Sequence, residues 1–270
     1  MPVTTAEKRA AFHRLHDSGC FIIPNPFDVG SARALQHLGF KALASTSAGF
    51  AWTIAKADNR VSVDEVCDHL AALCAAVDIP VNADFEGGFA HEPGQLGVNV
   101  ARGVETGVAG LSIEDSTGDD ADPLFSFELA VERVRAARAA IDETGTGVLL
   151  TGRSEGFVVG RPDIDDTILR LRAYADAGAD CLYAPRIDTV EHVSAIVAAV
   201  APKPVNLLVH TPFITVAKAA ALGVRRISVG GTLARVAWLS FRQAAQEIAD
   251  AGTFTHFNDL PNPDALFEQG

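Results

Sequence analysis

Eight short apolar runs, rich in β-branched residues, alternate with longer amphipathic runs from one end of this chain to the other. The strand-like runs are 20–24, 41–45, 80–84, 109–114, 147–152, 180–184, 204–209 and 225–229. Between and after them lie helix-like stretches at 29–38, 63–77, 96–106, 127–142, 164–177, 190–200, 214–222 and 233–251. Strands that alternate with helices imply parallel βαβ units, because a parallel strand needs a long crossover to return. Eight such units predict closure into a (β/α)8 TIM barrel, and a doubly wound open sheet is the rival built from the same units. The 270 residues fit one such barrel and sit near the size at which a single core stops growing. The expected layout is one barrel domain over 1–252, followed by an extension over 253–270 rich in Pro, Asn and Asp.

Several helix ends are written in the sequence. Asp28 and Asp163 stand at N-cap positions, and Ser62 with Glu65 forms a capping box. Gly39, Gly107, Gly178 and Gly223 follow the last periodic residue of a helix, where a left-handed residue ends the spiral. No apolar run approaches the roughly 20 residues of a membrane span. The first residues are polar, without a signal-peptide core, so a cytoplasmic location is expected. Cys20, Cys67, Cys74 and Cys181 lack CxxC spacing and read as buried thiols. A net charge of −12 argues against a nucleic-acid partner, which calls for a basic footprint.

A strand buried on both faces should be apolar throughout, and several of these are not. Asn25, Ser45-Thr46-Ser47, Asn82-Ala83-Asp84, Glu114-Asp115 and Arg153-Ser154-Glu155 all cluster at C-terminal strand ends. That is the face where barrel enzymes carry their chemistry. Asn82 and Asp84 share one side of their strand by period-two geometry. If that side is the interior, Asp84 and Glu114 converge at the mouth, and a hard divalent cation relieves their repulsion. Few carboxylates with many waters suit Mg²⁺ better than Ca²⁺, with Mn²⁺ as the alternative ion. The structural alternative makes these carboxylates N-caps or ion-pair partners of Arg153. The Arg153 guanidinium matches a carboxylate or phosphonate in bidentate fashion, and a rim salt bridge is its structural alternative. His13, His16, His37, His69 and His192 fall on helical patterns and read as surface residues. His210 ends the seventh strand and is the one histidine placed to face the mouth. No HExxH or GxxxxGK[ST] motif occurs.

These residues resemble the isocitrate lyase/phosphoenolpyruvate mutase superfamily. The likeness runs from Ile-Ile-Pro-Asn-Pro-Phe-Asp-Val-Gly-Ser-Ala-Arg (22–33) to Arg-Arg-Ile-Ser-Val-Gly-Gly-Thr-Leu-Ala-Arg (225–235). Its most specific pieces are the strand-three motif Asn82-Ala83-Asp84 and Ile113-Glu114-Asp115, with Ser45 and Asp58 spaced thirteen apart as in the lyases. The resemblance implies a Mg²⁺ site with Asp84 as direct ligand and Asp58 and Glu114 acting through water. It implies that Ser45, Thr46 and Ser47 offer donors to a 2-oxo carboxylate that Arg153 clamps. It also implies a homo-oligomer, a tetramer or dimer, exchanging a C-terminal helix from about Leu233. Three departures stand out. Asn82 occupies the place of the first aspartate of the motif. The loop Ser116-Thr117-Gly118-Asp119-Asp120-Ala121-Asp122-Pro123 lacks the lyases' cysteine-bearing gate and the asparagine-bearing gate of the phosphonate enzymes. Pro185 aligns with the lyase glutamate, and Asn206 lies two residues before the lyase asparagine.

The expected activity is therefore Mg²⁺-dependent carbon–carbon cleavage of a small 2-oxo acid or dicarboxylate through an enolate, as in oxaloacetate decarboxylation or methylisocitrate cleavage. Arg153 and Glu114 are the candidate catalytic residues, and Ser45, Thr46, Ser47, Arg153, Asn206 and His210 the candidate substrate contacts. Asp84, Asp58 and Glu114 are the candidate metal residues. The alternatives are phosphonopyruvate-type mutase or hydrolase chemistry and a Mg²⁺-dependent 2-oxo acid binder with little catalysis.

Overall fold

The structure, a computed structural model, describes residues 3–267. All eight expected strands form, each shorter than its apolar run: β1 (Phe21–Ile22), β2 (Leu43–Ala44), β3 (Val81–Asp84), β4 (Gly110–Glu114), β5 (Leu149–Arg153), β6 (Cys181–Tyr183), β7 (Val205–Leu208) and β8 (Arg226–Ser228). They make one parallel sheet in the order β1-β8-β7-β6-β5-β4-β3-β2. The Ala44 N–H donates to the Pro24 carbonyl at 3.1 Å and bridges the two ends of that order. The sheet is thus a (β/α)8 barrel, and the open doubly wound rival is set aside.

The helices are α1 (Thr5–Asp17), α2 (Val29–His37), α3 (Ser47–Thr53), α4 (Val63–Ala76), α5 (Pro93–Glu105), α6 (Phe127–Glu143), α7 (Ile164–Asp176), α8 (Val190–Val200), α9 (Val216–Ala221) and α10 (Thr232–Ala251). The caps read from sequence are formed: Asp28 accepts from the Ser31 N–H at 2.7 Å, Asp163 from Asp165 and Asp166, and Ser62 with Glu65 makes the reciprocal box. Two helices were not expected from the periodicity. Helix α1 carries its own capping box, Thr4 with Glu7, but its weak amphipathicity hid it. It plugs the N-terminal end of the barrel, where fully buried Phe12 packs with Ile23, Ala42 and Ala109. A Cβ at Gly110 would stand 2.7 Å from both the Phe12 ring and Asn82 Oδ1, so only glycine fits between plug and barrel floor. Helix α3 is a single short spiral, capped by the Thr46 hydroxyl, too brief to show a period.

The histidines need one correction. His13 and His37 are exposed, but His16, His69 and His192 are half-buried. The His16 ring meets Phe12 and Phe21 edge-on, and His69 stacks on Phe50 at 4.0 Å. Burial first, with nearby positive charge in the case of His16, lowers His16 to about 3; burial lowers His69 to about 4. The unfolded chain therefore binds more protons than the folded one between those values and about 6.5. Stability is fully present above about 6.5 and is lost as pH falls through that window. Replacing His69 by Phe keeps the stack on Phe50 and is expected to remove up to about 1.4 kcal/mol per pH unit from that slope. Urea unfolding of both proteins at several pH values between 7 and 5 checks this, and parallel curves would rule it out.

Helix α10 stands apart from the rest. Only Ala234 is buried along its 20 residues, while Val236, Leu239 and Phe241 are exposed. After Gly252 closes it in a left-handed turn, Phe254, Phe257 and Leu260 continue the exposed apolar surface. Among the described residues no helix is long and apolar enough to cross a membrane.

Candidate active site

The polar residues gather at the C-terminal mouth because period-two alternation turns Asp84, Glu114 and Arg153 inward from neighbouring strand ends. Glu114 and Arg153 are direct partners in the β4–β5 register, whereas Asp84 lies opposite Ser112. The Arg153 Nη1 stands 3.1 Å from Asp84 Oδ1 and 3.0 Å from Glu114 Oε2. Its Nε and Nη2 engage the Glu155 carboxylate, the latter at 3.1 Å. Three carboxylates thus share one guanidinium. Burial depresses the arginine's proton affinity, but the charges of Glu114, Glu155 and Asp84 outweigh it and hold Arg153 firmly protonated. Burial pushes the Glu114 and Glu155 carboxyls up, against the pull of Arg153. The ion-pair alternative is therefore formed in the structure. The N-cap alternative is not, since Glu92 and Ser126 cap α5 and α6.

The serines after β2 hold Asp84 in place. The Asp84 N–H donates to Ser45 Oγ at 2.8 Å, and the Ser47 N–H donates to Asp84 Oδ2 at 2.9 Å. Thr46 Oγ1 accepts from the Gly49 N–H. These three positions line the cavity, but Ser45 and Thr46 spend their oxygens on the fold. Asp58 belongs to an exposed loop and turns its carboxyl toward the same cavity. Desolvation and the charge of Asp84 push it up, opposed by hydrogen bonds from Ser47 and Asn59. Asn206 lines the floor, its amide fixed between Ser228 Oγ (2.9 Å) and Arg226 Nε (2.8 Å). His210 is half-buried just past β7 and is not among the residues lining the cavity.

Glu86 was missed. It lies two residues past Asp84 with a left-handed φ of 47°, and its carbonyl accepts the Glu114 N–H at 3.1 Å. Its Oε1 is buried without a partner, and burial with the charges of Asp84 and Asp58 pushes its carboxyl up to about 8. Gly87 and Gly88 behind it read as a turn, although the same period-two count that selects Asp84 points to Glu86. Arg226 was also missed, though an arginine inside an apolar strand is a visible signal. Asn82, in place of an aspartate, accepts from its Nη1 at 3.3 Å.

The donor set suits a hard cation. Asp84, Glu114 and Glu155 share Arg153, while Asp58 and Glu86 form no ion pair among the described residues. The mouth thus presents more hard carboxyl oxygens than Arg153 engages. Among the described residues no three His, Cys, Asp or Glu side chains close around a point tightly enough to enclose an ion unaided. A Mg²⁺ ion, which takes one or two carboxylates and keeps several waters, does not require such a cluster. A cavity of about 160 Å³ adjoins a second of about 260 Å³ under the loop after β4, bordered by Asp119 and Asp120.

Comparison with known proteins agrees with this geometry. The model of the phosphoenolpyruvate phosphomutase family matches residues 12–249. A candidate lyase/mutase from Burkholderia cenocepacia J2315, known from its crystal structure, superposes with a TM-score of 0.93 at 44% identity, over 96% of this chain and 95% of that one. An uncharacterized protein of Mycobacterium tuberculosis (strain H37Rv) is 31% identical over 242 residues, 89% of each chain. The oxaloacetate decarboxylase of Paraburkholderia xenovorans LB400 is 27% identical over 208 residues, 73% of this chain and 67% of that protein. With the barrel, the strand-end carboxylates and this match in hand, the chain belongs to the phosphoenolpyruvate phosphomutase family, within the phosphoenolpyruvate mutase/isocitrate lyase superfamily.

Proposed function

We propose that this protein is a Mg²⁺-dependent carbon–carbon lyase that cleaves a small 2-oxo acid through an enolate, with oxaloacetate-type decarboxylation as the leading reaction. The observation that carries it is the cluster of Asp84, Glu114 and Arg153 at the mouth, with Asp58 adding a carboxyl that forms no ion pair among the described residues. Asp84, Asp58 and Glu114 would hold the ion. When bound, Mg²⁺ supplies Lewis-acid stabilisation to negative charge developing on the substrate. Arg153 lines the cavity with Ser47 and is firmly protonated, so it orients the substrate carboxylate and favours the enolate as it forms. Ser45 and Ser47 fix Asp84, which keeps the donor set pre-organised. The loop 116–123 borders the cavity and, closed, excludes water from it.

Decarboxylation asks least of this site. Departing CO₂ leaves the electron pair behind as the enolate, so no strong base is required. A retro-aldol cleavage needs both an acid and a base, and the loop offers Asp119 and Asp120 but no cysteine. The test is an assay of oxaloacetate and its 3-alkyl analogues with Mg²⁺ and with a chelator. We expect chelator-sensitive release of CO₂, and equal rates in both conditions would sink the reading. The family match also supports a second reading, phosphorus–carbon chemistry on a phosphonopyruvate-like acid, which ³¹P NMR of the product mixture separates from decarboxylation.

We further propose that the protein is a homo-oligomer, with α10 packed on a neighbouring copy. The support is the helix's exposed apolar face, far from what a single barrel buries. Light scattering is expected to give a dimer or tetramer, and Leu239→Asp with Phe241→Asp a smaller species. A monomeric parent protein would refute it.

A further inference from the structure

On the buried face of α6, Arg133 stands among Ala130, Val134, Ala137 and Ile141, where an apolar residue belongs. It is 1% exposed, and no carboxylate lies within ion-pair distance of it among the described residues, in contrast to Arg153 and Arg170. Burial lowers its pKa to about 10, opposed by the charges of Asp115 and Glu114, so it remains a cation at neutral pH. A buried cation without a counter-charge is costly, so its place in the helix calls for a task beyond packing.

The guanidinium grips the segment after β3. Its Nη1 donates to the Ala90 carbonyl at 2.5 Å and the His91 carbonyl at 2.6 Å, and its Nη2 donates to the Gly87 carbonyl. Its carbon lies 4.0 Å from the centre of the Phe125 ring, at the end of the loop after β4. One side chain therefore braces the loops after both strands. The first of these is strained, since Glu86 and Phe89 hold left-handed φ values of 47° and 57°, which cost a non-glycine residue energy. Asn99 of α5 donates to the carbonyls of Gly88 (2.9 Å) and Phe89 (3.4 Å) but leaves that of Gly87 to Arg133.

We propose that Arg133 is a positioning residue for the candidate metal site. By pinning the Gly87 carbonyl it fixes the neighbouring Glu86 carbonyl, which accepts the Glu114 N–H at 3.1 Å. The end of β4, from which the Glu114 carboxylate projects, is set through that bond. The inference rests on the reading that Glu114 helps to hold a cation. A cavity of about 300 Å³ lies between the two loops, bordered by Glu86, Glu114, Phe125 and Arg133. Glu114 thus faces open space on this side, and packing alone does not set its position. Groups that orient a metal ligand from behind are typically worth about 10–100-fold in metal affinity.

The full chain is titrated with Mg²⁺ by calorimetry, and hydrogen exchange at the Glu114 amide is followed by NMR without the ion. Arg133→Met, its fold checked by circular dichroism, is expected to weaken Mg²⁺ binding by about tenfold or more. Exchange at Glu114 should speed up by about three- to tenfold, the scale of one hydrogen bond. Gly87→Ala disturbs the same contact more gently, because a Cβ there stands 3.3 Å from Arg133 Nη2 and 3.4 Å from the Ser116 carbonyl oxygen. It is expected to move both readouts in the same direction by a smaller factor. Asn99→Ala loosens the same segment without touching the Gly87 bond and should leave both near the parent values. A merely structural arginine would lower the melting temperature and leave Mg²⁺ affinity and the Glu114 amide alone. Mg²⁺ affinity within about threefold of the parent in folded Arg133→Met, or an equal loss in Asn99→Ala, overturns the proposal. Unchanged exchange at Glu114 overturns it whatever the affinities. A wild type that binds no Mg²⁺ sinks the metal reading, while faster Glu114 exchange in Arg133→Met still upholds the positioning role.

Discussion

Asp84→Ala is expected to lower Mg²⁺-dependent turnover of the cleaved 2-oxo acid by about 10²–10³-fold, since Lewis-acid stabilisation is worth several kcal/mol and each 1.4 kcal/mol is about tenfold. Asp84 is a firmly held oxygen donor at the mouth, fixed through its N–H by Ser45 and through Oδ2 by Ser47. The fold should tolerate the change, because Arg153 keeps Glu114 and Glu155 as partners. A stability loss of only about 1 kcal/mol is anticipated, so inactivity would not reflect unfolding. Steady-state rates measured across a Mg²⁺ titration, beside a thermal melt, decide it. Turnover within tenfold of the parent protein at saturating Mg²⁺ would remove Asp84 from the mechanism.

The largest stability effect is expected one residue away from the site's other carboxylate. Asp115→Ala should cost about 3–5 kcal/mol, the range found when one partner of a buried charge network is removed. Asp115 is 3% exposed and accepts from the Tyr174 hydroxyl (2.5 Å), Arg170 Nη1 (3.2 Å) and the Glu155 N–H (2.7 Å). Its loss strands a fully buried phenol and weakens the pairing of a largely buried guanidinium on α7. Because its Glu155 contact also shapes the loop beside Arg153, activity should fall along with stability. Urea unfolding gives the number, with an unchanged slope needed for the comparison. A loss below about 1 kcal/mol would show that the network is not what ties α7 to the barrel.

Glu114 and Asp115 illustrate how far the sequence could be read. Together they appeared as one polar strand end. Alternation along β4 sends Glu114 into the mouth and Asp115 outward onto α7, a distinction already available from the period of two. Their different partners were not available, because Arg170 and Tyr174 lie 55 and 59 residues away. Arg153 was legible both as a clamp and as a rim ion pair, and the structure forms the ion pairs. Asn82 read as a lost carboxylate; its amide instead serves Arg226, from the far side of the ring. His210 was legible from its place at a strand end, and the structure sets it half-buried just past β7.

Local physics lies behind what the sequence determined alone: eight βα units, their caps, the closed barrel they favour, and the face that carries the polar strand ends. Periodicity, capping chemistry and burial are properties of neighbouring residues, so a linear reading reaches them. The tertiary structure decided which carboxylates share Arg153, that Glu86 Oε1 is buried without a partner, and that Asp115 ties α7 to the barrel. Those relations join strands far apart in the chain. They depend on ring closure and register, which set distances that no local pattern encodes.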